Sequence, residues 1–167
     1  MRLRGLTLAA LALSACSDAP TPAARTNDAP PARTLDGPCP VTVPGGELPL
    51  PEPDFNYGDR SLAASIWPEG RLVAGTLPDG SAWAEINADG SIYAKLGWWR
   101  GVQVRLSIEG ERLDAPAPPL RAHVPEGYGP SGFQATGLTF PTTGCWRVRG
   151  RVADASLTFV VRVRKRR

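Results

Sequence analysis

The chain has 167 residues, of which 19 are Lys or Arg and 16 are Asp or Glu, and its formal net charge at pH 7 is +3. Arg2 and Arg4 account for most of this excess, because the chain beyond residue 15 carries 17 basic and 16 acidic side chains. A charge so near zero, with no basic residues interleaved among aromatic ones, excludes nucleic acid from the expected partners.

The first fifteen residues have the pattern of an export signal. A basic stretch at 1–4 is followed by a mainly apolar run at 5–13. A helix that spans a bilayer needs about 20 apolar residues, so this run is roughly half as long as a membrane helix. The pattern therefore predicts a cleaved signal peptide at 1–15.

The end of this segment, Leu13-Ser14-Ala15-Cys16, resembles the lipobox of bacterial lipoproteins, in which a branched apolar residue and two small residues precede a cysteine. The resemblance implies that Cys16 begins the mature protein and carries acyl chains such as palmitate, which hold it on the outer side of a membrane. Ser17 at the next position implies sorting to the outer membrane if the cell has two. The alternative is an ordinary secretory signal in which Cys16 is incidental.

Residues 17–38 are rich in Ala, Pro, Thr, Ser and Asp and show no apolar periodicity. Such a segment buries too little apolar surface to offset its ordering entropy, so we expect 16–38 to be a lipidated cysteine followed by a disordered tether. Residues 39–163 are numerous enough for one domain with its own core, and the basic residues at 164–167 are expected to form a solvated tail.

The chain has three cysteines, which leaves two for pairing once Cys16 carries lipid. In an oxidising compartment, a disulfide between Cys39 and Cys145 is the simplest expectation. The alternative is two buried free thiols. A redox-active pair is disfavoured, because the chain contains no C-x-x-C motif.

The folded region is punctuated by most of the 18 Gly and 18 Pro residues, and no stretch of ten residues has clean helical spacing. We expect short strands, in chain order, at 62–67, 71–74, 81–86, 91–96, 102–109, 120–124, 133–140, 145–152 and 156–164. A hairpin is predicted around Asp89-Gly90, a pairing of 62–67 with 71–74, and a bend at 97–101.

The clearest strands, 145–152 and 156–164, each alternate between an apolar and a polar face. Strands of this kind at short, regular spacing predict an all-β, two-sheet sandwich of immunoglobulin-like or fibronectin-like architecture with about seven to nine short antiparallel strands. The pair Cys145-Trp146 resembles the late Cys-bearing strand of immunoglobulin domains, although the Cys…Trp…Cys spacing of that family is absent.

Three further stretches, 98–100, 127–134 and 139–146, resemble a group of uncharacterised extracytoplasmic bacterial lipoproteins. Together they cover a span of fewer than fifty residues. The resemblance implies an envelope location and an immunoglobulin-like fold, and no activity comes with it.

The residues suited to catalysis or metal binding form no known motif. His123 is the only histidine, whereas metal sites use several His or Cys ligands, so no metal or cofactor is expected. A Ser-His-Asp set has no G-x-S-x-G turn to support it. The carboxylates available for glycoside cleavage lie in predicted turns or on polar strand faces, where they are normally solvated. They are Glu85, Asp89, Glu109, Glu111 and Asp114.

Four aromatic side chains are the candidate binding residues: Trp98, Trp99, Tyr128 and Phe133. Trp98 and Trp99 are consecutive, so on a strand they face opposite sides of the sheet. Tyr128 and Phe133 flank a Gly-rich loop, and loops on rigid scaffolds frequently carry binding residues. The alternative is that these rings close the two ends of the sandwich.

We therefore expect a non-enzymatic lipoprotein domain that binds or scaffolds an envelope protein or polysaccharide. The alternative is an envelope hydrolase built on His123 or on acidic residues, which would require His123 and a carboxylate to meet in a cleft. A structural accessory with the same fold and no ligand is not separable from the first hypothesis by sequence.

Overall fold

The computed structural model describes residues 38–52, 54–76 and 80–166, together with the backbone of residues 26–27. In these parts of the chain two β-sheets pack face to face around one core, which confirms the predicted all-β sandwich. The expected signal peptide, Cys16 and nearly all of the expected tether lie outside the described residues.

The described residues form eleven strands, five of which have only two or three residues, and this explains why the sequence indicated fewer. The strands are β1 (Thr26–Asn27), β2 (Tyr57–Gly58), β3 (Leu62–Ala64), β4 (Arg71–Ala74), β5 (Ala84–Ile86), β6 (Ile92–Arg100), β7 (Ser107–Arg112), β8 (Arg121–His123), β9 (Gly132–Phe140), β10 (Gly144–Val152) and β11 (Ala155–Lys165). A single 3-10 turn, Pro68–Gly70, precedes β4.

The strand order is that of an immunoglobulin-like sandwich. One sheet has the order β2-β3-β6-β9-β8, with β5 beside β6, and the other has β7-β10-β11, with β1 and β4 at the free edge of β11. The neighbours β6-β9-β8 and β7-β10-β11 correspond to the B-E-D and C-F-G strands of immunoglobulin domains. The predicted architecture is therefore present in its connectivity as well as in its layers.

The core lies between the two sheets and is built largely from apolar side chains at alternate strand positions. Trp98, Phe140 and Phe159 are almost completely buried there together with Trp146. The Phe140 and Trp146 rings meet edge to face with their centroids 5.6 Å apart, an arrangement that favours aromatic pairs beyond their buried area.

A disulfide joins Cys39 to Cys145, with the two Cα atoms 5.5 Å apart, as predicted. Cys145 lies at the beginning of β10, and Cys39 lies in the irregular segment that precedes the first sheet. Close to the bridge, the backbone N–H of Thr42 donates to the carbonyl of Val160, and the backbone N–H of Val160 donates to the hydroxyl oxygen of Thr42. The irregular segment that contains Cys39 and Thr42 thus covers the part of the β11 edge that lies between β1 and β4.

The expected bend at 97–101 is wrong, because β6 continues through Gly97 to Arg100 and pairs with β9 over its whole length. The strand expected at 102–109 begins only at Ser107 and extends to Arg112. Gly97, which precedes Trp98 and Trp99, was interpreted as an interruption of the strand, whereas it lies beneath the ring of Phe133 on the neighbouring strand.

The expected pairing of 62–67 with 71–74 is also wrong. β3 pairs with β2 and β6, whereas β4 crosses to the other sheet and pairs with β11 in parallel. β1 is also parallel to β11, so the sandwich is not antiparallel throughout. The turn at Pro68–Gly70 redirects the chain between the sheets, and its Glu69 and Gly70 both have positive φ angles.

β11 extends to Lys165, two residues beyond the expected end of the domain. Arg164 and Lys165 pair with Val73 and Ala74 of β4, and the backbone N–H of Arg166 donates to the carbonyl of Ala74. The basic side chains remain exposed while their backbone belongs to the sheet. Arg167 lies outside the described residues.

Candidate functional site

An aromatic cluster lies on the outer face of the sheet that contains β6 and β9. Its members are Phe55, Trp99, Tyr128 and Phe133. The ring centroid of Phe55 lies 6.1 Å from that of Trp99 and 6.3 Å from that of Phe133, and the rings of Tyr128 and Phe133 are 5.9 Å apart. Phe55 is buried beneath the others, whereas Tyr128 and Phe133 are each 40% exposed. We call Trp99, Tyr128 and Phe133 the aromatic surface.

Strand alternation separates the two neighbouring tryptophans. Trp98 faces the core, is 0% exposed, and donates its indole N–H to Thr136 Oγ1 at 3.2 Å. Trp99 faces outward, is partly buried, and donates its indole N–H to the carbonyl of Arg60 at 3.0 Å. Trp98 was among the candidate binding residues, but its complete burial between the sheets removes it from any surface.

Glycines on the outer face make room for the aromatic rings. A Cβ added to Gly97 would lie 3.1 Å from the Phe133 ring, and one added to Gly137 would lie 2.7 Å from the ring of Tyr93. Each ring therefore packs over the backbone of the neighbouring strand at a glycine, as aromatic residues do where they compensate for glycine in a sheet. The exposed rings are held close to the sheet by this packing.

The loop that carries Tyr128 is held by an arginine at the end of β6. Arg100 Nη2 donates to the carbonyl of Gly129 at 2.6 Å, and its Nη1 donates to the carbonyls of Pro130 and Val104 at 3.2 and 3.4 Å. Gln134 adds a bond from its amide N–H to the carbonyl of Pro125 at 3.1 Å. These contacts position the loop at the border of the aromatic surface.

Two of these residues were missed by the sequence analysis. Phe55 lies just before β2 in a Pro-rich stretch, where no pattern indicates burial. Arg100, however, follows Leu96 and Trp98 at two-residue intervals, so it occupies an inward-facing position of β6. A charged residue at an inward position of an alternating strand is the signal that could have identified it, had 97–101 not been predicted to bend.

Two of the carboxylates considered for catalysis, Glu109 and Glu111, line one cavity together with Arg147 and Arg149. Glu109 and Glu111 form ion pairs with Arg151 and Arg147 on the outer face of the second sheet. Asp114 accepts from Arg112 Nε at 2.7 Å and lies 3.6 Å from Arg162. Glu85 is exposed on β5. Each of the paired carboxylates is thus engaged with a cation, the usual role of surface acids.

Both aspartates among these carboxylates, Asp89 and Asp114, have a lowered pKa. Hydrogen bonds from the hydroxyl and backbone N–H of Ser91 lower the pKa of Asp89 in the hairpin turn. Partial burial raises the pKa of Asp114, but the hydrogen bonds from Arg112 and from the backbone of Cys145, with the Arg112 charge, outweigh it and lower the pKa. Both shifts favour the ionised form, which is unsuitable for a general acid at neutral pH.

His123 lies on the exposed strand β8. Within the described residues, its ring has no hydrogen bond to a carboxylate and no ion pair, and no three His, Cys, Asp or Glu side chains converge as a metal site would require. The meeting of His123 with an acid in a cleft, on which the hydrolase hypothesis depends, is therefore not found in this part of the chain.

Comparison of the chain with protein-family models, with curated proteins and with solved structures finds no match in any of the three. Among the described residues, no helix has the length and apolar character needed to cross a bilayer.

Proposed function

We propose that this protein is a lipid-anchored, extracytoplasmic lipoprotein of the bacterial envelope whose sandwich domain binds a partner without catalysis. The lipobox-like sequence ending at Cys16 supports the anchor. With Cys39 and Cys145 joined in a disulfide, Cys16 is the one cysteine left for another use. A structural disulfide is also typical of proteins that fold outside the cytoplasm.

The aromatic surface is the observation that carries the binding proposal. Tyr128, on the loop between β8 and β9, and Phe133, on β9, expose large aromatic rings that lie next to each other. Adjacent exposed aromatic side chains are common in binding sites, because they offer a large contact area with few rotatable bonds. The Phe133 ring is held against the sheet at Gly97, so little conformational entropy is lost when a partner covers it.

The partner that we favour is an envelope polysaccharide. Phe133 and Tyr93 both pack over strand glycines, which gives this face low, broad aromatic rings instead of a deep apolar pocket. A low platform matches the flat faces of sugar rings better than the protruding anchor side chains through which proteins usually dock. An envelope protein as the partner is the alternative outcome of the test below.

Retention on insoluble cell-wall polysaccharide tests the binding proposal. Phe133→Ser should weaken retention about fivefold, the effect of removing roughly 1 kcal/mol of contact. Ile86→Ser is the matched control, because Ile86 is a comparably exposed apolar residue on β5, at 46%. Absence of retention, or an equal loss in both variants, would contradict the proposal, as would capture of a protein by a crosslinker placed at Tyr128.

The anchor is tested separately by Cys16→Ala. Without the acylated thiol, the protein should leave the membrane fraction and appear in the soluble one. Unchanged fractionation of the Cys16→Ala variant would contradict the lipid anchor and would leave the retention experiment unaffected.

A further inference from the structure

Arg100 is the most deeply buried charged side chain that the structure describes, with 5% of its surface exposed. It lies at the end of β6, where the strand meets the loop that carries Tyr128. A buried guanidinium is normally compensated by a carboxylate, because removing a charge from water is costly unless it is paired. Within the described residues, Arg100 has no such carboxylate, and its three hydrogen bonds all go to backbone carbonyls.

The hydrogen bonds of Arg100 leave one edge of the guanidinium incomplete. Nη1 donates to the carbonyls of Val104 and Pro130, and Nη2 donates to that of Gly129. The Nε–H is buried and has no acceptor among the described residues. Nε and Nη2 form the edge with which a guanidinium holds two oxygens of a carboxylate or phosphate in parallel hydrogen bonds.

A cavity of about 310 Å³ lies at this arginine. Arg100 lines it together with the apolar side chains of Val104, Val124 and Tyr128 and with the exposed residues Arg105 and Glu126. The volume is at the lower end of the range for small-molecule sites, so it suits one small group of a ligand.

We propose that this pocket binds a carboxylate through the guanidinium of Arg100, which is one of its lining residues. The charge balance favours a singly charged group, since Arg105 already lies 3.7 Å from Glu126, which leaves Arg100 as the one cation of the pocket without a carboxylate among the residues that the structure describes. A phosphate monoester would bring nearly two negative charges among apolar side chains, which is unfavourable. The rest of the ligand would contact Tyr128, which links the pocket to the aromatic surface.

The opposing explanation is that Arg100 only holds the loop in place. Its bonds to Gly129, Pro130 and Val104 serve that purpose, but they do not account for a buried Nε–H without an acceptor. The two explanations differ in one observable, the response of the Nε–H to an added carboxylate. The inference depends neither on the lipid anchor nor on polysaccharide binding.

The test is NMR of the arginine Nε–H groups in the full chain, purified in a neutral detergent and titrated with two pairs of probes. Glucuronate is compared with glucose, and alanyl-alanine with alanyl-alaninamide, at equal ionic strength in sodium chloride. We expect the Arg100 signal to shift and saturate with a dissociation constant of about 1 mM for at least one carboxylate, and not for its neutral counterpart. Saturation by glucuronate identifies a sugar acid as the source, and saturation by alanyl-alanine identifies a peptide end.

Two arginine variants locate the site. Arg100→Lys keeps the charge without the paired N–H donors of a guanidinium and should weaken binding at least tenfold, whereas Arg71→Gln, at an exposed arginine of β4 that does not line the pocket, should change it less than twofold. If Arg100→Lys does not fold, the titration of the unaltered chain still decides. The proposal is overturned if no carboxylate shifts the Arg100 signal at ten times the expected dissociation constant, if chloride shifts it equally, or if Arg71→Gln abolishes binding.

Discussion

The two faces of the strand pair β6–β9 carry similar residues and have opposite roles. On the inner face, Trp98 lies against the second sheet with its ring over Gly150, and its indole N–H reaches Thr136. On the outer face, Trp99 and Phe133 are directly opposite each other in the ladder and border solvent. Aromatic residue type therefore does not separate core from surface in this sheet, whereas position on the strand does.

The difference between the faces is one of freedom to adjust. Inner side chains are enclosed by both sheets, so a change in volume there leaves a cavity or a clash. Outer rings contact protein on one side and can shift into solvent on the other. The expected effects of substitution follow this difference, with one exception on the outer face of the second sheet.

The largest effect is expected for Trp98→Ala. Removal of a fully buried indole leaves a large cavity between the sheets and should lower the free energy of unfolding by about 4 kcal/mol. Urea unfolding followed by circular dichroism measures this loss. Trp99→Ala on the same strand is the control, with an expected loss of about 1 kcal/mol because its ring is only partly removed from water. Equal losses in the two variants would abolish the distinction between the faces.

The disulfide is the exception, because Cys145 occupies an outward position of β10 and still contributes strongly. The double variant Cys39→Ser/Cys145→Ser should lose about 3 kcal/mol, since the bridge closes a loop across a sequence separation of 106 residues. The measurement is the urea midpoint of the double variant against that of the unaltered, oxidised chain. Reduction of the unaltered chain should reproduce the loss, and a midpoint that reduction does not change would contradict this prediction.

A matched pair of glycines sharpens the comparison. A methyl group at Gly150 would collide with the enclosed ring of Trp98, so Gly150→Ala should cost about 2 kcal/mol. At Gly97 the Phe133 ring lies 3.1 Å away and can move outward, so Gly97→Ala should cost less than about 1 kcal/mol. Thermal unfolding of both variants checks the order, and a greater cost at Gly97 would show that the outer ring is as confined as the inner one.

The smallest effect concerns acid stability on the outer face of the second sheet. The pKa of Asp114 is lowered in the folded protein, so its ionised form stabilises the fold at neutral pH. This contribution is lost as the pH falls below about 4 and through the lowered pKa. Asp114→Asn should therefore lose less stability than the unaltered chain between pH 6 and pH 3, in urea midpoints at each pH. Parallel pH profiles would show that Asp114 does not contribute.

Local patterns were sufficient where strands alternate without interruption. β9, β10 and β11 lie within a residue or two of their expected bounds, and the hairpin at Asp89-Gly90 is present between β5 and β6. The patterns were misleading at Gly97, whose place in β6 depends on Phe133, a residue 36 positions away. No local signal could report that a distant ring covers this glycine.

The candidate site likewise contains some residues that local patterns identified and others whose placement depends on tertiary packing. Tyr128 and Phe133 were recognised as exposed aromatic residues beside a Gly-rich loop, and the consecutive tryptophans had to face opposite sides. Which tryptophan faced the core was decided by the register of β6 against β9. The burial of Arg100 under carbonyls of a loop almost thirty residues away was equally a consequence of packing.

Sequence alone predicted the fold class, the alternating faces of the last three strands and, on the expectation that Cys16 carries lipid, the pairing of Cys39 with Cys145, because these predictions depend only on composition, cysteine count and side-chain period. Tertiary structure alone decided that β4 joins the second sheet in parallel, that Trp98 is enclosed while Trp99 is not, and that Arg100 is buried without a carboxylate. Each of these depends on which distant segments meet, and side-chain periodicity carries no information about that.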